Sequence, residues 1–199
     1  MVLVLGDSLS AGYGIARQDA WTSLLQDRLA GEGFPHRVVN ASISGETTRG
    51  GLARLPRALG EHDPEIVILE LGANDGLRGI PVKEIRRNLA EMIRLSQAAG
   101  ARVLLAGIHI PPNYGLRYTE EFHQVFHDLA AEYRTALVPF ILDRVALEDG
   151  LMQADGLHPN AAGQPVILDN VWPELVPVLA AEAGLPAPAA GAIPAQGKE

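Results

Sequence analysis

A three-layer α/β/α sandwich around a parallel sheet is the fold class this sequence predicts, on three observations. Short apolar runs bounded by turn residues alternate with amphipathic stretches of helical period. The strand-like runs are apolar throughout, as in strands covered on both faces. The residues able to do chemistry fall just behind strands, where a parallel sheet gathers its ligand-binding loops.

Five strands are predicted: Val2–Leu5, Arg37–Asn40, Ile66–Leu71, Val103–Ile108 and Ala136–Val138. Between the first two, Trp21, Leu24, Leu25 and Leu29 repeat at helical spacing, with Gly31 and Gly33 as stops. Val82, Ile85, Leu89, Met92 and Ile93 form a second stripe behind Pro81, a residue suited to a first helical turn. A third stripe is Phe122, Val125, Phe126 and Leu129, with Thr119 as the expected N-cap. A final helix is expected over 161–180, broken or kinked by Pro165, Pro173 and Pro177. Right-handed crossovers then give a five-stranded parallel sheet in the flavodoxin-like order 2-1-3-4-5. One domain is expected over 1–180. From 181 to 199 the chain is Ala, Pro and Gly with few large apolar residues, a composition that predicts a flexible tail.

Composition narrows the function. The chain has 199 residues and a formal net charge of -8, which disfavours nucleic acid as a partner because phosphate tracking needs a basic stripe. There are no cysteines, so disulfides, thiolate metal sites and cysteine nucleophiles are excluded. No apolar stretch approaches the roughly 20 residues that span a bilayer, so stable membrane insertion is not expected. As written the chain reads as cytoplasmic, or as periplasmic or secreted if a signal peptide has been removed. Oligomeric state is not legible.

Ser8 carries the chemistry. It sits in Gly6-Asp7-Ser8-Leu9-Ser10, on the sharp turn behind the first strand. A serine nucleophile needs a base, a group that orients the base, and donors for the developing oxyanion. Asp155 and His158, three residues apart, can place both side chains on one side of a turn. The carboxylate then accepts from one imidazole nitrogen while the other faces Ser8. The amides of Ser8 and Gly45 and the side chain of Asn74 are the candidate oxyanion donors.

In these blocks the chain resembles the GDSL/SGNH hydrolases, most closely the bacterial branch of multifunctional esterases, thioesterases and lysophospholipases. Gly6-Asp7-Ser8-Leu9-Ser10, Ser44-Gly45-Glu46-Thr47, Gly72-Ala73-Asn74-Asp75 and Asp155-Gly156-Leu157-His158-Pro159 stand for four of that family's blocks, in order, over about residues 2–179. The resemblance implies Ser8 as nucleophile, His158 as base and Asp155 as orienter. It further implies Ser8, Gly45 and Asn74 as the oxyanion hole, no cofactor or metal, and a small-molecule or lipid acyl ester as substrate. Leu77, Ile110, Pro111, Pro112, Tyr114 and Leu116 follow strands three and four, where an acyl chain could rest, and Gly76 and Gly79 suggest that the loop around Leu77 can move.

Competing readings are weaker. A carbohydrate O-deacetylase would use the same constellation. A non-catalytic module binding carboxylate or phosphate would have no need of an aligned acid and base. Ser8 as a helix cap, and Gly45 and Asn74 as turn residues, are the bland alternatives. His123 and His127 have the spacing of a zinc helix, but Gln124 replaces the glutamate of H-E-x-x-H, so both read as solvent-facing. His109 reads as a hydrogen-bonded structural histidine, and Asp7 as a residue that holds loops together. No G-x-S-x-G elbow, dinucleotide fingerprint or phosphate loop occurs.

Overall fold

The computed structural model describes residues 1–182; the expected tail lies outside the described residues but for its first two positions, which are helical. Five strands form one parallel sheet: β1 (Val2–Gly6), β2 (Val38–Asn40), β3 (Ile66–Glu70), β4 (Arg102–Ala106) and β5 (Ala136–Val138), in the order β2-β1-β3-β4-β5. The predicted order is therefore correct. β1 and β3 are buried at every position, and Val2 to Gly6 pair in register with Ile66 to Glu70. This doubly covered centre explains why both segments read as unbroken apolar runs.

Among the described residues seven α-helices flank the sheet: α1 (Ser8–Ala11), α2 (Trp21–Gly31), α3 (Thr48–His62), α4 (Ala73–Leu77), α5 (Val82–Ala98), α6 (Leu116–Tyr133) and α7 (Gln164–Glu182), the last after β5. α2 packs against α7, while α3, α5 and α6 pack in a row, giving the two helical layers. The buried Gln164 side chain accepts from the Trp21 amide (3.0 Å), joining the first turns of α2 and α7.

Three expectations are corrected. The sequence reading assigns no helix between β2 and β3, yet α3 forms there despite Gly50, Gly51, Pro56 and Gly60. Thr47 caps it by accepting from the Gly50 amide (3.3 Å), and Leu55, Ala58 and Leu59 supply a buried face. Thr119 is not the cap of α6. The helix starts at Leu116, and the Thr119 hydroxyl bonds back to the Leu116 carbonyl (2.9 Å). Pro173 and Pro177 do not break α7, whose buried residues Ile167, Val171, Leu175 and Leu179 recur at helical spacing. Packing of that stripe outweighs the two missing N–H donors. No helix among the described residues is long and apolar enough to cross a membrane.

Candidate active site

The carboxyl ends of the strands carry the site. β1 ends at Gly6 and the chain turns directly into α1, with Asp7 as its N-cap accepting from the Leu9 amide (3.0 Å). Ser8 thus begins the helix, and the bland reading of Ser8 as the cap does not hold. Its side chain is half-buried and its hydroxyl lies 2.9 Å from His158 Nε2.

Asp155 and His158 sit on a tight turn closed by the bridge between Met152 and Pro159 and by a bond from the Gln153 amide to the His158 carbonyl (2.7 Å). Asp155 Oδ2 accepts from His158 Nδ1 at 2.7 Å, and Oδ1 accepts from the backbone of Leu157 (2.9 Å) and His158 (3.0 Å). These bonds, the His158 amide first, pull the Asp155 carboxyl down to about 2. An ionised acceptor at Nδ1 places the imidazole proton there and leaves the Nε2 lone pair facing Ser8.

Of the other expected donors, Gly45 stands on the turn after β2 and Asn74 in the first turn of α4. Gly45 has φ of +80°, a conformation favoured by glycine, so its turn can present the backbone to the cleft. Asn74 is the second residue of α4, and its Nδ2 gives one proton to the buried Asp7 Oδ2 (3.1 Å), the other having no protein acceptor among the described residues. Among the described residues, neither the Ser8 nor the Gly45 amide has a protein acceptor. The geometry therefore brings Ser8, Asp155 and His158 into one hydrogen-bonded chain, with Gly45 and Asn74 on the adjoining segments.

A model of the GDSL-like lipase/acylhydrolase family matches residues 4–166. The chain belongs to that family. It is 55% identical over 178 residues to esterase TesA of Pseudomonas aeruginosa, covering 89% of each chain. It is 44% identical to thioesterase 1/protease 1/lysophospholipase L1 of Escherichia coli K12, covering 89% of this chain and 84% of the other. The crystal structure of TesA superimposes with a TM-score of 0.87, over 89% of this chain and 98% of that one. This GDSL-like acylhydrolase is accordingly an enzyme acting on acyl esters, with the sheet order of its relatives.

Several residues that position the site are not among those expected from the sequence of this acylhydrolase. Glu70, at the end of β3, is fully buried; its Oε2 accepts from Ser10 Oγ (2.7 Å) and the Asp7 amide (3.3 Å). Burial, and then the proximity of Asp7, push its carboxyl well above the usual range. Burial also lifts Asp7 to about 6, against the opposing effect of its bonds from Leu9 and Asn74. Asp75, buried beside Asn74, accepts from both the Thr48 amide (2.8 Å) and hydroxyl (2.6 Å), locking the Gly45 and Asn74 segments together. Arg78 donates to the Gly45 carbonyl (3.1 Å). Gln153 donates to the carbonyls of Tyr13 (2.7 Å) and Pro159 (2.9 Å), and the Tyr13 ring lies 4.6 Å from that of His158. A glutamate closing an otherwise apolar strand was the available signal for Glu70, since buried charges are rare without a partner.

The expected acyl-contact residues divide. Ile110 is buried against Gly76, whereas Pro112, Tyr114 and Leu116 are exposed. Leu77 lies in α4 rather than in a loop, and its carbonyl accepts from the Tyr114 hydroxyl (3.0 Å), joining the two segments. A cavity of about 820 Å³ opens beside β2 and is lined by Gly12, Asn40 and Ser42; none of the triad residues lines it. The hydrogen-bonded chain of Ser8, His158 and Asp155 lies outside this cavity. His109 departs from its expected role: it stacks on His123 and meets Phe140 edge-on, without a hydrogen bond.

Proposed function

We propose that this acylhydrolase cleaves carboxylic esters and thioesters through an acyl-enzyme on Ser8. The single observation that carries the reading is the continuous chain from Ser8 Oγ to His158 Nε2 (2.9 Å) and from His158 Nδ1 to Asp155 Oδ2 (2.7 Å). His158 takes the hydroxyl proton as Ser8 Oγ attacks the acyl carbon, and Asp155 stabilises the resulting imidazolium. The tetrahedral oxyanion draws on the amides of Ser8 and Gly45 and the second Asn74 Nδ2 proton. Collapse breaks the bond to the leaving oxygen or sulfur, which receives the proton from His158. Water, deprotonated by the same imidazole, then attacks the acyl-enzyme and releases the acid and Ser8.

Exposed apolar groups around this edge support an acyl chain of some length rather than acetyl alone. Tyr13, Tyr114, Leu116 and Leu157 are all exposed, in the segments that follow β1, β4 and β5. We assign Leu77, Ile110, Pro112, Tyr114 and Leu116 to the acyl-chain wall. The names of the relatives, an esterase and a thioesterase/lysophospholipase, support this reading over carbohydrate deacetylation.

The test is hydrolysis of p-nitrophenyl esters from acetyl to palmitoyl, and of acyl-CoA and lysophospholipid, by wild type and Ser8→Ala. Turnover of medium or longer chains that disappears in Ser8→Ala is expected. Acetyl-only turnover overturns the acyl range, and equal rates in the two proteins overturn the nucleophile. A chain-length profile unchanged in Tyr114→Ala and Leu116→Ala removes those residues from the wall.

A further inference from the structure

Outside the triad, three histidines gather where the segment after β4 meets α6. His123 and His127 stand one helical turn apart on α6, half-buried, with their Nε2 atoms 3.2 Å from each other. His123 Nδ1 faces the Ile108 carbonyl at 3.4 Å, and the His109 ring stacks on that of His123 with centroids 3.6 Å apart. A proton on Nδ1 shared with that carbonyl leaves the His123 Nε2 lone pair directed at His127.

The spacing of the two nitrogens matches a chelate. Metal–nitrogen bonds of about 2.0–2.1 Å at a tetrahedral angle place two ligands about 3.3 Å apart. The i, i+4 spacing brings two imidazoles to one side of a helix, as in metal-binding helices that carry a glutamate between them. Here Gln124 follows His123, so the pair lacks the base of a hydrolytic metal centre. Asp128 does not supply an obvious replacement, since it accepts from Gln124 (2.9 Å). No group of three or more His, Cys, Asp or Glu suited to a metal occurs among the described residues, so solvent must complete the coordination sphere.

We infer that His123 and His127 form a two-histidine site for a borderline divalent transition ion of the zinc type, with the Ile108 carbonyl orienting His123 from behind. The Ile108 carbonyl on His123 Nδ1 ties the pair to the segment that leads from Ile108 through Ile110 to Tyr114, so an ion that fixes the His123 ring also holds that contact. It therefore stiffens that segment without entering the acyl-transfer chemistry. The sequence reading places both histidines on or near the solvent face; they are half-buried and in contact with each other. The site does not depend on the assignment of Ser8.

The experiment is calorimetric titration of the full chain with Zn²⁺, with melting temperature followed in parallel. Saturable uptake of one ion per chain and a higher melting temperature are expected. His127→Ala and His123→Gln should each weaken uptake at least tenfold, while metal-free ester turnover of His127→Ala stays within twofold of wild type. The triad offers zinc a competing ligand pair, so His158→Ala is titrated as well and should retain uptake. Absence of uptake, or uptake that survives His127→Ala and vanishes in His158→Ala, overturns the site.

Discussion

Ser10 donates its hydroxyl across 2.7 Å to the buried carboxyl group of Glu70, two residues beyond the serine that faces His158. The same oxygen accepts from the Asp7 amide, and a Cβ on Gly6 would come within 2.7 Å of it. Glu70 therefore sits under the whole turn from Gly6 to Ser10. Its other oxygen, Oε1, is buried without a partner. A neutral group suits this place better than an anion, since burial raises its carboxyl well above the usual range. Glu70→Gln should then keep both the fold and most of kcat. Glu70→Ala should cost about 2–4 kcal/mol through a cavity and two stranded donors, and should lower kcat. Urea unfolding with steady-state kinetics checks both; an equal loss in the two variants would mean that Glu70 works as an anion.

Asp7 gives a pH test of stability. Its carboxyl rises to about 6 in the folded chain from an ordinary value of 3.8. Below both values the group is protonated in the folded and unfolded chains, and its full contribution is present. Between them the unfolded chain releases the proton first, so stability falls as pH rises, by up to about 3 kcal/mol above pH 6. Asp7→Asn does not titrate. Its melting temperature relative to wild type should therefore climb between about pH 4 and 6. Activity should move the other way, because an amide at Oδ2 would face the Asn74 donor; a fall in kcat of up to about a hundredfold is expected from a misdirected oxyanion donor.

Asp155, held at about 2 by the amides of His158 and Leu157 and by the imidazole, stays ionised wherever the enzyme works. The acid limb of kcat/KM should therefore not report this carboxyl. Asp155→Asn should lower kcat by roughly 10⁴ through loss of the correct imidazole tautomer, with little change in substrate affinity. A pH–rate profile of the wild type and single-turnover kinetics of the variant test the two statements.

Thr48 is buried and bonds to both oxygens of Asp75, while Asn88 donates to its hydroxyl at 3.0 Å. Thr48→Val keeps the volume and removes the hydroxyl, leaving an acceptor and a donor without partners. A loss of about 1–3 kcal/mol is expected. The Asp75 tie between the Gly45 and Asn74 segments would keep only the bond from the position-48 amide, so kcat should fall more than KM rises. Denaturant unfolding and kinetics on one ester measure both effects.

The strands, their order and the proximity of Ser8, His158 and Asp155 were legible because the signals that mark them are local. Apolar runs mark β1 and β3, glycine turns mark the loops, and Asp155-Gly156-Leu157-His158 carries its geometry within four residues. α3 was hidden by its glycines and Pro56, whose unfavourable propensities were overridden by the buried face of Leu55 and Leu59. The supports of the site were not legible for a different reason. Glu70 meets Ser10 sixty residues away, Gln153 meets Tyr13 at a separation of 140, and Asp75 meets Thr48 at 27. Such pairings depend on the sheet register, which no short window of sequence contains.

The bond between Ser8 and His158 spans 150 residues, from the first strand to the last connection before α7. All of β2 to β5 lies between the two residues in sequence, so their meeting requires the sheet to be complete. A chain with an incomplete sheet holds the serine apart from its histidine. On refolding, ester turnover should return only with the slowest long-range closure, after helix content has recovered. The enzyme carries its own completion signal.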